Sequence, residues 1–137
     1  MKKIYDVKLM QWIALFENLS RAKVKDAFLR NSSVNFVVEK GDLWKAVGKK
    51  GANVKKIEDL IKKKIRVIEF DEDVCRFVGN FIYPIKVEKI ELEDKVVNIY
   101  AQGAQTKGLL IGRESKNLKE LKGVLLRYFD IEDVKIV

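Results

Sequence analysis

Val47-Gly48-Lys49-Lys50-Gly51-Ala52-Asn53-Val54 decides the fold of this chain. Its pattern returns 64 residues later as Ile111-Gly112-Arg113-Glu114-Ser115-Lys116-Asn117-Leu118. Each copy has an aliphatic residue before the first glycine and an asparagine five positions after it. A bare Gly-x-x-Gly is a weak signal in a chain with eight glycines, but its context here strengthens it. A short helical pattern runs into each turn and a longer one starts just after. The first amides of that longer helix lack intrahelical partners and carry partial positive charge. Glycine lets a phosphate oxygen approach the backbone with no Cβ in the way. A basic turn of this kind suits a polyanion backbone.

Working outward from the first turn, Leu9, Trp12, Ile13 and Phe16 keep i, i+3, i+4, i+7 spacing and predict a helix over 5–19. Lys23 to Leu29 and Val34 to Val38 read as strands, with the turn at Asn31-Ser32-Ser33. Asp42 is placed to cap a short helix that Gly48 ends. A helix over 52–63 and a strand over 65–70 complete the unit. The same order then repeats. Asp71 or Asp73 can cap a helix over 73–83, which Pro84 stops. Strands over 85–92 and 95–102 enclose a Glu93-Asp94 turn. A short helix ends at Ile111, Ser115 to Tyr128 is a long helix that Ser115 can cap, and Val134 to Val137 is a last strand. The repeat predicts an α+β chain of two units, residues 1–71 and 72–137, each a three-stranded sheet packed against helices.

The charge follows the turns. The net charge is +8 from 28 Lys+Arg and 20 Asp+Glu. Residues 40–66 hold ten Lys/Arg against three Asp/Glu, and residues 103–127 six against two. The rest of the chain is net acidic. Such clustering is the electrostatic footprint of a nucleic-acid-binding protein. The competing reading is a set of ordinary solvated helix faces. There is no histidine and one cysteine, Cys75, so a thiolate with a His base, a His metal site and an internal disulfide are excluded. Cys75 falls on the apolar pattern of Val74, Phe77 and Val78 and is expected in the core. No string fits a Walker-type nucleotide loop. No apolar run has the length of a membrane span and no signal peptide is visible, so a soluble cytoplasmic protein, a monomer without metal or cofactor, is expected. The acidic groups sit at a helix start and a hairpin turn, and no nucleophile stands beside a base. No catalytic residue is assigned.

WKAVGKKGANVKKIEDL (44–60) and KGLLIGRESKNLKEL (107–121) resemble the signature of KH domains, with IALFENL (13–19) and RYFDIEDVKIV (127–137) extending the likeness over nearly the whole chain. In KH domains a Gly-x-x-Gly loop clamps the backbone of about four single-stranded nucleotides. The element order is that of the type II, bacterial and archaeal, topology. Two such units and nothing else are similar to the archaeal NusA-like transcription factors. The resemblance implies an RNA-binding protein, not an enzyme, that holds nascent single-stranded RNA to modulate transcription elongation or termination, with RNA polymerase as the implied protein partner. It places RNA contacts at Gly48, Lys49, Lys50 and Gly51, with Asn53 and Lys55 beside the groove. Ile65 and Val67, or the opposite face of their strand, would wall it. Gly112, Arg113, Lys116 and Asn117 hold the matching places in the second unit. A docking module for RNA polymerase and an RNA-processing or ribosome-assembly factor stand as alternatives.

The second unit departs from the pattern. Ser115 replaces the second glycine and Glu114 puts a negative charge at the tip. Weaker clamping, with Arg113 and Lys107 compensating, and a purely structural platform are the two readings. Trp44 either stacks on a base or fills a core. Lys62-Lys63-Lys64 with Arg66 either extends a phosphate track or forms a solvated helix end.

Overall fold

The spacing of Leu9, Trp12, Ile13 and Phe16 closes into helix α1, Val7–Ser20, with Leu9 and Phe16 buried. The computed structural model describes residues 7–30 and 32–137. The expected helix start at Tyr5 and Asp6, and Asn31 of the expected turn, lie outside the described residues. The α1 end is local chemistry: the Ser20 hydroxyl donates to the Phe16 carbonyl at 2.7 Å and accepts from the Ala22 amide at 3.1 Å.

Two strands follow, β1 (Val24–Arg30) and β2 (Ser33–Val38), paired antiparallel with a bulge between Val24 and Asp26. Alternation along β2 sends Val34, Phe36 and Val38 into one core with Leu9, Phe16 and Ala27. The Phe16 and Phe36 rings stack with centroids 4.5 Å apart. Helices α2 (Leu43–Val47) and α3 (Ala52–Ile61) then close the same core through Ala46 and Ile57. The chain returns as β3 (Lys64–Glu69), parallel to β2. A parallel pair needs a crossover, and the α2–turn–α3 segment is that crossover. Ile65 and Val67 of β3 pack against this core.

From Glu72 a second compact unit repeats the order. It runs α4 (Val74–Ile82), β4 (Lys89–Glu93), β5 (Val96–Tyr100), α5 (Gly103–Ile111), α6 (Lys116–Tyr128) and β6 (Asp133–Ile136). Its sheet is again antiparallel then parallel, ordered β4-β5-β6. Val97, Ile99, Leu110, Leu121, Leu125 and Val134 are buried. Phe77 of α4 meets the Phe129 ring, centroids 5.8 Å apart. The protein is thus α+β, with two three-stranded sheets and their helices.

Several local expectations are corrected. The Asp42 side chain makes no cap bond to α2. Its backbone sits at φ −97°, ψ 1°, and its carboxylate accepts from the Lys23 amide at 2.9 Å instead. Ser115 does not cap α6: its side chain makes no bond to the helix amides, and its backbone is left-handed (φ 60°, ψ 23°) rather than extended, as a capping residue typically is. Asp73 does cap α4, accepting from the Cys75 and Arg76 amides. Cys75 is half-buried rather than a core residue. α3 ends at Ile61 because Lys62 turns left-handed, with its amide bonded to the Glu58 carbonyl. The Glu58 carboxylate then accepts from the Ile65 amide at 2.9 Å and leads the chain into β3. The second hairpin is shorter than its sequence pattern. Its turn is Asp94-Lys95, both left-handed, the two-residue geometry that matches strand twist.

Candidate nucleic-acid interface

In the first unit α2 runs into Gly48, whose amide bonds the Trp44 carbonyl at 2.9 Å. Gly48 has φ 81°, ψ 168°, a conformation open to glycine and strained for other residues. One tight helical turn follows, Lys49–Gly51, closed by the Gly51 amide on the Gly48 carbonyl at 3.1 Å. Lys50 (φ 55°, ψ 29°) and Gly51 (φ 75°, ψ 18°) are consecutive left-handed residues. They swing the chain so that α3 starts at once. No side chain caps α3, and its first turn carries no acid. The Ala52 amide that opens α3 bonds the Lys49 carbonyl, and the turn before it is tipped with two exposed lysines, Lys49 and Lys50, beside the positive end of the helix.

The second turn has the same shape. Gly112 has φ 77°, ψ 172°, Glu114 φ 56°, ψ 30°, and Ser115 φ 60°, ψ 23°. The Gly112 amide bonds the Gly108 carbonyl at 2.8 Å, and the Ser115 amide bonds the Gly112 carbonyl at 3.2 Å. Ser115 holds the left-handed position of Gly51, and Glu114 holds that of Lys50. The frame is kept while one of the two cations at the tip is replaced by an acid, Glu114 in the place of Lys50.

The recurring asparagine explains the first glycine. Asn53 Nδ2 donates to the Lys45 carbonyl, eight residues back, at 3.0 Å. Asn117 Nδ2 donates to the Leu109 carbonyl, also eight back and also at 3.0 Å. Each side chain folds under its turn and ties the second helix to the last turn of the first. A Cβ on Gly48 would stand 2.8 Å from Asn53 Cγ and 2.9 Å from the Asn53 amide nitrogen. On Gly112 it would stand 2.6 Å from Asn117 Cγ. A Cβ on Gly51 would meet nothing within 4 Å. The two glycines of the first turn thus have different duties: Gly48 makes room for Asn53, and Gly51 serves the left-handed backbone. The recurrence of asparagine at one offset was visible in the sequence. Its bond to a carbonyl eight residues back was not, because no helical spacing brings those positions together.

Lys49, Lys50, Lys55 and Arg113 are all exposed, and none forms an ion pair among the described residues. Lys116 is also exposed, on the first turn of α6. Lys62, Lys63 and Lys64 lie at the far end of α3, roughly 15 Å from the glycine turn at the rise of an α-helix. Ile65 and Val67 of β3 pack, partly buried, against the core, and Ile68 on the other face of the strand is buried too. Trp44, on the turn of α2 before Gly48, is 85% exposed and fills no core.

The KH domain family matches residues 12–88, more than half the chain, from within α1 through the first unit and past α4. A protein of Methanococcus vannielii named as a probable transcription termination protein NusA is 33% identical over 129 residues, spanning 91% of this chain and 74% of that one. The chain belongs to the archaeal NusA-like family of KH-domain proteins. Two further NusA-like relatives carry the same description. That of Halococcus morrhuae is 28% identical and covered over 93% of both chains. That of Thermoplasma acidophilum is 26% identical over 137 residues, covering 96% of this chain and 93% of its own. Among solved structures the NusA-like fold is similar to the crystal structure of APE1850, with a TM-score of 0.69 at 25% identity over 97% of this chain and 100% of that one. Among the described residues no helix is long and apolar enough to cross a membrane.

Proposed function

We propose that the chain is a pair of type II KH domains, residues 1–71 and 72–137, acting in the cytoplasm as a transcription factor on nascent single-stranded RNA. The observation that carries this reading is the first glycine turn, with its uncapped helix start, its two exposed lysines and its family match. Phosphate oxygens would be held by the Lys49 and Lys50 amides, since those of Gly48 and Gly51 already bond the Trp44 and Gly48 carbonyls, with the Lys49, Lys50 and Lys55 side chains adding charge attraction. Asn53 and Asn117 would act by holding each turn in shape. The chemistry is binding, with no bond made or broken. Gly112, Arg113, Lys116 and Asn117 offer a second site of the same shape, weakened by Glu114. That acidic tip favours a division of labour, in which the first unit takes most of the RNA and the second extends the site or meets RNA polymerase.

RNA affinity should fall with salt. Clamping about four nucleotides predicts a slope of log affinity against log salt of roughly −2 to −3. Filter binding of an unstructured RNA across a salt series checks it, and an affinity indifferent to salt contradicts phosphate clamping.

A further inference from the structure

Trp44 is the most open of the exposed large apolar side chains of the described residues, at 85%. An indole left in water has a cost that burial would remove, so its position invites an occupant. In α2 the buried residue is Ala46, two positions on, which turns Trp44 to the outer side of the helix. Gly48 lies four residues on, one turn above Trp44 on the same side. Lys45 beside it and Lys49 and Lys50 beyond it are exposed cations. A wide π-face next to a row of ammonium groups matches one chemistry, an unpaired nucleobase on a phosphate backbone. A protein partner would have to seat its own apolar group among those lysines, which the charge disfavours. The second unit has no aromatic at the matching place: the residue one turn before Gly112 is Gly108.

We propose that Trp44 is a base-stacking platform, so that a nucleotide next to the one clamped by the Gly48–Gly51 turn lays its base on the indole. This rests on the RNA-binding reading above and adds a contact that the glycine turn does not itself supply. Stacking on one aromatic ring tolerates any base, so the contact strengthens binding without choosing a sequence. It also gives the first unit a grip that the second lacks.

The test uses the full chain, a short unstructured RNA and an abasic ribose-phosphate strand of equal length. Trp44→Ala should weaken RNA binding about tenfold, the scale of one lost base stack. Trp44→Phe should recover most of that loss and Trp44→Leu should not, because leucine keeps apolar area but has no π-face. The abasic strand should bind wild type and Trp44→Ala equally. RNA should quench the fluorescence of the wild type more than that of Trp44→Phe, which keeps Trp12 as its single indole. Equal RNA affinity of wild type and Trp44→Ala, while Lys49→Asp/Lys50→Asp loses binding, overturns the stacking and leaves the clamp standing. If neither variant nor wild type binds RNA, the RNA-binding reading fails and takes the stacking with it. Self-association of the wild type that Trp44→Ala abolishes, with RNA affinity unchanged, assigns the indole to a second copy of the chain and overturns the proposal.

Discussion

Gly48 and Gly51 look interchangeable in the motif, and the structure separates them. Gly48→Ala drives a Cβ against both the side chain and the backbone of Asn53. It should cost about 2–4 kcal/mol, combining overpacking with a strained φ. Gly51→Ala faces open space and pays only the left-handed backbone, about 1 kcal/mol. Asn53→Ala removes one bond and should cost about 1 kcal/mol. Because glycine and asparagine share one space, Gly48→Ala with Asn53→Ala should cost less than the sum of the two. Urea unfolding of the four variants beside the wild type checks both the order and the coupling. Equal costs for the two glycine substitutions would show that the contact under the turn is not what selects Gly48. At Cys75, burial and then the Asp73 carboxylate push the thiol up from its ordinary value. Its alkylation near neutral pH should therefore be slower than that of a free thiol, and Asp73→Asn should speed it in part. A rate equal to that of a free thiol would contradict this environment.

The elements were legible to different depths. Helices α1 and α6 follow from their apolar spacing, and β2 follows from a run whose alternate residues enter the core. Ends were less legible, because tertiary partners set them. Lys62 turns left-handed where Glu58 reaches the Ile65 amide. Asp42 is drawn away from α2 by the Lys23 amide, a partner 19 residues distant. Trp44 could not be read from periodicity, since α2 has five residues and Ala46 alone is buried. Asp73 was legible as a cap because both its amide partners lie within three residues. Asp73→Ala should cost about 1 kcal/mol, seen as a lower thermal midpoint. At the other edge of the second unit, Lys122 Nζ lies 2.9 Å from Asp133 Oδ1. That bond, with the Val134 amide, holds the Asp133 carboxyl below its ordinary value. A folded value below the unfolded one stabilises at neutral pH and fades as pH falls through it. The stability gap between wild type and Asp133→Asn should therefore close below about pH 4. The gap should be small, since the two side chains are 39% and 42% exposed.

Across the whole molecule, one backbone device appears twice, with two cations at its first tip and an Arg113-Glu114 pair at its second. Lys50 and Glu114 share a left-handed geometry to within a few degrees, so shape alone does not set the two turns apart. Converting the second tip with Glu114→Lys should raise RNA affinity, and adding Ser115→Gly should relieve a strained backbone by about 1 kcal/mol. An unchanged affinity would mean that the second turn lies outside the RNA path. The central claim belongs to the first turn. Its most direct test is RNA affinity of Lys49→Asp/Lys50→Asp beside the wild type at moderate salt, with circular dichroism and thermal midpoint recorded for both. Loss of most RNA binding with an unchanged fold is the expected result; wild-type affinity in the double variant would contradict the account.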